Sequence, residues 1–253
     1  MEKKYKILKD DPIKRGNQTF YRIEALKDFG NVEKGDWGGL IEKEENLSQK
    51  GNCWIYADAI VCDDAKVYGN AIVYHSIISF NTEVYENAEV HYTYTDGPNI
   101  KIYGNAKLLG GDEIIRITED TDIYGDVTIH GYAFIGNAEL FGHLMIASTS
   151  IMGFDSEHNK LERRISIGPD KLLSLQDANI SGEAKIHKDY HYGSIRGFGA
   201  GGTIEFYKTH DDDIFVCYDS RYPIPLHEFD FIVSSIRGNR DSLIEIIKGT
   251  INE

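Results

Sequence analysis

The chain has 253 residues, a formal net charge of −14 at pH 7, and 41% hydrophobic and 11% aromatic residues. Such a chain can bury a substantial core, and it contains no apolar run of about 18 residues that would cross a bilayer. Phosphate contacts need clustered Lys and Arg, so the acidic charge argues against general nucleic-acid binding.

The first predicted unit covers residues 1–53. Its N-terminus, "MEKKYKILKDD", lacks the apolar segment of a signal peptide, so we expect a cytoplasmic protein. The segments "YKILKDD", "QTFYRIEAL" and "GGLIEKEENL" alternate apolar and polar side chains, with the turn signal "KRGN" between the first two. This pattern predicts a small β-hairpin or sheet.

The second predicted unit, residues 54–194, carries a six-residue repeat. An aliphatic residue recurs every six positions, with breaks, and a small residue follows four positions after it. The aliphatic positions are Ile55, Val61, Val67, Val73, Val84, Val90, Ile102, Leu108, Ile123, Ile129, Ile135, Ile180 and Ile186. A short strand and a tight corner close one side of a triangular coil in about six residues. The repeat therefore predicts a parallel β-solenoid, whose open end residues 1–53 would cap.

The units "VYGNA" (67–71), "VYENA" (84–88) and "IYGNA" (102–106) resemble the hexapeptide-repeat superfamily. The resemblance implies a left-handed β-helix and a homo-oligomer, with a trimer as the first expectation. Many members are acyltransferases that use a His as general base in a cleft between neighbouring solenoids. The arrangement of leader, solenoid and tail is also similar to uncharacterised bacteriophage and prophage proteins.

The repeat is interrupted at 91–99, 109–120 and 142–178, and such insertions are expected to leave the coil as loops that often carry binding. The last interruption contains "LERRISIGPDK", in which basic side chains can either clasp an anion or remain solvated. The candidate anion-binding residues are Arg163, Arg164, Lys171 and, at the next junction, Arg196.

The third predicted unit, residues 195–253, begins at the Gly-rich stretch "GFGAGG". Two strand-like segments follow, and then two segments with apolar residues at helical spacing, so we predict a ββαα module packed on the solenoid. The predicted fold class is mainly β: a solenoid with a small N-terminal β cap and a C-terminal α+β module.

Two histidines of the solenoid are candidate general bases. His91 and His130 each follow an aliphatic position, where other units have Tyr, so their side chains should point outward. The alternative is that each is a surface residue. His187 and His191 have the spacing of helical metal ligands, but they follow a predicted strand and have no third ligand. The three cysteines have no metal-ligand spacing, so no metal and no cofactor are predicted.

Outward tyrosines also follow the aliphatic positions. Stacked rings would stabilise neighbouring coils, and exposed Tyr is also favoured at protein interfaces, so they are candidate binding residues. They are Tyr56, Tyr68, Tyr74, Tyr85, Tyr103 and Tyr124.

These observations favour a non-enzymatic bacteriophage or prophage protein in the cytoplasm of a bacterial host. Its partner would be a host protein or a small anionic ligand, and its role would be counter-defence against a host immune protein or a nucleotide signal. One alternative is a hexapeptide-class acyltransferase that uses acetyl-coenzyme A, with His130 or His91 as base. The other is a virion or tail accessory protein.

Overall fold

The structure, a computed structural model, describes residues 2–56, 58–153, 164–169, 171, 173–176, 178–181, 184–188, 191–198, 202–218, 223–233 and 240–251. Within these ranges the chain forms 26 strands, which are arranged in three sheets, and two α-helices. The fold is mainly β, as predicted.

The centre of the molecule is a parallel β-solenoid whose coils have three sides. Face 1 contains β4 (Trp54–Tyr56), β7 (Ile72–Tyr74), β10 (Glu89–His91), β13 (Lys107–Leu109), the first halves of β16 (Asp126–Gly136) and β18 (His143–Met152), and β20 (Leu173–Gln176). Face 2 contains β3 (Trp37–Ile41), β5 (Ile60–Val61), β8 (Ile77–Ile78), β11 (Thr93–Asp96), β14 (Ile115–Thr118), the second halves of β16 and β18, and β21 (Asn179–Ser181). Face 3 contains β6 (Lys66–Val67), β9 (Glu83–Val84), β12 (Ile100–Ile102), β15 (Thr121–Ile123), β17 (Ala138–Leu140), β19 (Ile165–Ile167) and β22 (Lys185–Ile186). Neighbouring strands on each face come from successive coils.

The solenoid core consists of the aliphatic residues of the repeat. All 13 predicted aliphatic positions are at most 1% exposed, which confirms that they point inward. The small residues at the corners are equally buried. They include Ala59, Ala65, Ala71, Ala88, Ala106, Ala133 and Ala184. The period of six thus brings at least one side chain of each strand into the core, and the residues next to it in the strand point to the outer side.

Polar ladders and glycines hold the corners of successive coils together. Asn70 donates from Nδ2 to Asn87 Oδ1 at 3.0 Å, and Asn105 does the same to Asp126 Oδ1 at 3.0 Å. Gly104 has a φ of +72°, and a Cβ on it would lie 2.7 Å from the backbone nitrogen of Gly125 in the next coil. Glycine is therefore required at this corner on two independent grounds.

The N-terminal segment covers the first coil. Strands β1 (Tyr5–Arg15) and β2 (Gln18–Ala25) form the predicted hairpin, β2 pairs antiparallel with β3, and β3 pairs parallel with β5. A 3-10 turn, Glu44–Asn46, follows β3. Phe20 of the hairpin packs in a buried cluster with Leu40, Ile60 and Cys62 on the outer side of face 2. The first strand of face 2, β3, is thereby paired along its outer edge by β2 and covered by the hairpin.

The solenoid continues through parts of the chain that the sequence treats as interruptions. Strands β11 and β14 lie inside 91–99 and 109–120, and β18, β19 and β20 lie inside 142–178. Ile146, Ile151 and Ile167 of these strands are fully buried. Their inward residues are threonines in β11 and mainly aliphatic in the other four strands, and none has the Gly-Asn-Ala corner, so the repeat pattern does not detect them. Of the 142–178 interval, residues 154–163 lie outside the described residues.

The C-terminal module is an antiparallel sheet followed by two helices. Its strands are β23 (Tyr192–Phe198), β24 (Gly202–Lys208), β25 (Ile214–Tyr218) and β26 (Ile224–Pro225), and its helices are α1 (Leu226–Val233) and α2 (Arg240–Ile251). Phe206, Val216, Phe229 and Ile247 form a core of their own. Neither helix is long and apolar enough to span a membrane.

The thiol of Cys62 makes the folded state sensitive to alkaline pH. Burial raises the pKa of Cys62 to about 12, and the neighbouring Asp63 carboxylate adds to the increase. A thiol in an unfolded chain has a pKa of about 8.5, so the folded state holds this proton more tightly. The resulting stability is fully present below pH of about 8.5 and is lost as the pH rises towards about 12. We expect the difference in Tm between wild type and Cys62→Ala to shrink by a few degrees between pH 8 and pH 11, measured by circular dichroism. A difference that stays constant over this range would contradict the assignment.

Candidate active site

A column of outward side chains on face 1 brings two of the predicted tyrosines and one predicted histidine together. The strand register places Tyr56, Tyr74 and His91 in successive coils. The rings of Tyr56 and Tyr74 stack with centroids 4.2 Å apart and planes 6° apart, and the imidazole of His91 lies 4.4 Å from the Tyr74 ring, tilted by 41°. The parallel β-register thus supports the His91 ring from one side with an aromatic surface.

The imidazole of His91 lies beside a carboxylate. Its Nε2 atom is buried and lies 3.0 Å from Glu89 Oε1, which is within ion-pair distance. The angle between the two groups does not meet the geometry of a hydrogen bond. Lys107 Nζ lies 3.9 Å from the other oxygen of Glu89. Burial lowers the pKa of His91 below its usual value, and the Glu89 carboxylate opposes this effect. His91 is therefore neutral at pH 7 and able to accept a proton.

A second pair of rings lies beside this column, at the corner between face 1 and face 2. His75 and Tyr92 stack with centroids 4.9 Å apart and planes 20° apart. Both have positive φ values, 43° and 47°, because each occupies the corner that follows a face 1 strand. The electrostatic effect of His75 also contributes to the lowered pKa of His91. The site thus combines two histidines and three tyrosines from three successive coils.

The segment 110–114 bulges out next to this corner. Gly110 donates from its backbone to His91 O at 3.1 Å, and Ile115 donates to Tyr92 O at 3.1 Å, so the bulge starts and ends against the two site residues. A Cβ on Gly110 would lie 2.8 Å from Tyr92 O, so a larger residue would not fit there without a shift. Residues 111–114 are exposed, including Ile114 at 56%. This segment therefore leaves the coil beside the backbone of His91 and Tyr92.

His130, the second candidate base, lies in the same column as His91 but in a different environment. The register runs from His91 through Leu109 to His130, so the two histidines are two coils apart, roughly 10 Å. His130 is exposed and stands between Leu109 and Ala147 rather than against an aromatic ring. Face 1 therefore offers His91 as the supported base and His130 as an isolated one.

The other predicted tyrosines form a separate stack on the outer side of face 3. Neighbouring rings are nearly parallel, with centroids 4.8 to 5.3 Å apart. The stack contains Tyr68, Tyr85, Tyr103, Tyr124 and Phe141. The hydroxyls of Tyr68 and Tyr124 donate to Glu83 and Glu139 in the next coil at 2.7 and 2.9 Å. Burial, followed by these carboxylates, raises the pKa of both phenols, so they stay protonated at neutral pH. The single row of tyrosines expected from sequence is thus divided into two stacks, one on face 1 and one on face 3. The stack on face 3 connects neighbouring coils through ring contacts and hydrogen bonds.

The predicted anion-binding residues do not form one group among the described residues. Arg164 donates from Nη1 to Asp122 Oδ2 at 2.9 Å and to Asp120 O at 3.3 Å, so its charge is matched within the protein. Lys171 is exposed. Arg163 lies outside the described residues, and for Arg196 the structure describes only the backbone, within β23. Their role in binding an anion stays a prediction.

The other histidines considered from sequence lie near the last described coil of face 3. His187 follows β22, and its Nε2 lies 2.8 Å from Ser166 Oγ. Its ring also makes an edge contact with Phe141, with centroids 5.5 Å apart. Among the described residues, no group of three or more His, Cys, Asp or Glu side chains is arranged to hold a metal ion.

Sequence reasoning missed Glu89, His75 and Tyr92 as parts of the site. Glu89 was missed because a carboxylate two residues before a histidine predicts a contact only if both residues are in one strand, where their side chains lie on the same side. His75 and Tyr92 were missed because they stand one position after the outward tyrosine row. Their separation of 17 residues, one coil length, is the signal that could have paired them.

No family model matches the chain. Comparison with curated proteins finds a relative from Escherichia coli K-12 that is 44% identical over 55 residues. It carries the name "Uncharacterized acetyltransferase YdcK". The match covers 21% of this chain and 17% of the relative. Together with the β-solenoid, it fits a protein of the hexapeptide-repeat superfamily.

This match corrects the function predicted from sequence. The prediction was a non-enzymatic phage counter-defence protein, whereas the relative carries the name of an acetyltransferase. The finding favours the acyltransferase alternative, and the resemblance to phage proteins has no counterpart in it. The prediction gave too much weight to the absence of a catalytic motif. In a solenoid a site is assembled from successive coils and leaves no contiguous motif.

Proposed function

We propose that the protein is an acyltransferase of the hexapeptide class that moves an acyl group from a coenzyme A thioester to a hydroxyl or amine. The observation that carries this proposal is the similarity to a protein named as an acetyltransferase. The geometry of face 1 supports His91 as the general base, because it is the histidine whose environment keeps it neutral beside a carboxylate.

The proposed reaction begins with proton transfer to His91. Because Nε2 is buried and faces Glu89, a proton on Nε2 lies next to the carboxylate and leaves Nδ1 as the basic nitrogen. Nδ1 takes the proton of the acceptor hydroxyl or amine while the acceptor attacks the thioester carbonyl carbon. The carbon–sulfur bond then breaks, and the imidazolium gives its proton to the coenzyme A thiolate, which restores neutral His91. Glu89 stabilises the imidazolium formed during the attack.

We further propose a homo-oligomer, with a trimer as the first expectation. His91 lies on the outer side of a flat sheet, with its side chain 26% exposed. A neighbouring copy placed against this corner would cover the imidazole and remove water from the site. Exposed Tyr92, Ile114 and Tyr132, at 39%, 56% and 48%, give this corner an apolar surface for such a contact.

Isothermal titration calorimetry with acetyl-coenzyme A tests the proposal directly. We expect saturable binding with a Kd in the range of about 1 μM to 1 mM, typical of enzyme substrates. Acetate and adenosine, tested as separate ligands, are the controls for nonspecific heat. A flat titration with acetyl-coenzyme A at a protein concentration above this range would refute the donor assignment.

The pH dependence of the transfer rate should report the lowered pKa of His91. The base must be neutral to act, and burial keeps the imidazole neutral to a lower pH than the usual value of about 6.5. We expect kcat/KM to be level at pH 7 and to fall only below pH of about 6.5. Steady-state rates measured from pH 5 to pH 8 check this expectation. A fall that begins above pH 7 would show that His91 is not the titrating base.

A further inference from the structure

A lysine is buried where the N-terminal cap meets the first coil, and the proposed reaction does not use it. Lys4, which precedes β1, is only 1% exposed, although lysine is almost never fully buried unless it is paired. Its Nζ atom lies 4.8 Å from the centre of the Phe29 ring. A side chain held in this way has a fixed position in the folded protein.

The amine of Lys4 is directed at the thiol and backbone of Cys53. Nζ lies 2.8 Å from Cys53 O, 3.3 Å from Gly51 O and 3.3 Å from Cys53 Sγ. Cys53 itself is fully buried. An amine nitrogen and a thiol sulfur are therefore in contact, 49 positions apart in sequence, at the point where the cap meets the first coil.

The environment disfavours an ion pair between these groups and leaves the amine able to act as a base. Burial lowers the pKa of Lys4 and raises that of Cys53, so both directions favour the neutral amine and the neutral thiol. Because peroxide is attacked by a thiolate, the neutral amine beside Sγ takes the thiol proton as the sulfur reacts. The turn above them consists of Lys50, Gly51 and Asn52, which are exposed. Local opening of a short exposed turn would admit a molecule as small as a peroxide.

We propose that Lys4 and Cys53 are a redox modification site at which peroxide forms an oxygen bridge, Nζ–O–Sγ. The first hydrogen peroxide oxidises the thiol to a sulfenic acid and leaves as water. The second oxidises the sulfenic oxygen and the amine together: the O–H bond and one N–H bond break, the N–O bond forms, and two waters leave. The thiol and amine lose four electrons in total, which the two peroxides accept.

The bridge would fasten the first residues of the chain to the first coil. It closes a loop between residues 4 and 53 that no other cross-link closes, since no disulfide joins any of the three cysteines. A cross-link of this length restricts the unfolded chain, so the oxidised protein should have a Tm about 5 °C higher than the reduced protein. A thiol reductant attacks Sγ and breaks the S–O bond, which leaves the oxygen on Lys4 as a hydroxylamine, and a second thiol releases Cys53 from the mixed disulfide. The cross-link is thereby opened, so the increase in Tm should be lost on reduction.

Peptide mapping of the full chain by mass spectrometry tests the proposal. Wild-type protein is treated with hydrogen peroxide, digested with trypsin without reductant, and compared with an aliquot reduced after oxidation. We expect a peptide pair linking Lys4 to Cys53 whose mass exceeds the sum of the two by one oxygen and falls short by two hydrogens. This product should disappear after reduction.

Cys62 provides a control in the same tryptic peptide, because it is also buried and its sulfur lies 3.8 Å from an Asp63 oxygen rather than beside an amine. The link should map to Cys53, persist in Cys62→Ala and be lost in Lys4→Arg and Cys53→Ala. Oxidation of Cys53 without a link, a direct S–N link without oxygen, or equal linking of Cys62 would overturn the proposal. The wild-type measurement decides the matter even where a variant fails to fold.

Discussion

Replacing His91 by Asn is expected to lower kcat for acyl transfer by about 10²- to 10⁴-fold, the usual contribution of a general base. Asn keeps a planar polar side chain that can still pack on Tyr74, but it cannot take up a proton. Because the base acts only in the transition state, KM for acetyl-coenzyme A should change by no more than a few-fold. Release of free coenzyme A, followed with a thiol reagent in the presence of excess acceptor, gives both constants.

His130→Asn is the matched control for this prediction. It removes a histidine from the same column of face 1, two coils away and without an aromatic ring beneath it. It should retain nearly full activity, and Glu89→Gln should show an intermediate loss of about 10-fold because the imidazolium is less stabilised. If His130→Asn is the inactive variant and His91→Asn is active, the base assignment is wrong. If both are active, neither His91 nor His130 is the base.

Replacing Gly104 by Ala is expected to lower the free energy of unfolding by about 3 kcal/mol. The residue has a φ of +72°, which costs an L-amino acid about 1–2 kcal/mol. The new Cβ would also lie 2.7 Å from the backbone nitrogen of Gly125, so two coils would have to separate at this corner. For a chain of this size the Tm should fall by about 6–12 °C, measured by differential scanning calorimetry.

Gly111→Ala is the control for the Gly104 variant. Gly111 has no atom within 4 Å of the position its Cβ would occupy, and it lies in the exposed bulge rather than at a coil corner. We expect its Tm to stay within about 2 °C of wild type. Equal losses of Tm in the two variants would contradict the assignment of the Gly104 requirement to its positive φ and to the packing of coils.

The sequence predicts the solenoid well because its physical cause is local and repeated. Val67 and Ala71 occupy positions where a strand turns one side chain inward and a corner admits only a small residue. The prediction is weaker where coils depart from the pattern. In β18, Leu144, Ile146 and Ile151 fill the same core without the Gly-Asn-Ala corner, so the coil is invisible to a search for the repeat.

The candidate site was predictable only in part. That His91 points outward follows from its place after Val90, but its partners depend on the register between coils. Coil lengths differ, as shown by His91 pairing with Tyr74, 17 residues before it, and with Leu109, 18 residues after it. A sequence without the strand pairing therefore cannot place Glu89, His75 and Tyr92 around one ring, nor separate the tyrosines into two stacks.

The columns of face 1 have a consequence for how this molecule can change over evolutionary time. Tyr56, Tyr74 and His91 come from successive coils near the capped end, and each coil is bonded only to the one before and the one after it. Whole coils can therefore be duplicated or deleted beyond the bulge at 110–114 without altering the surroundings of His91. The number of coils in the solenoid and the side chains around His91 can therefore change independently, so related proteins can share these side chains while differing widely in length.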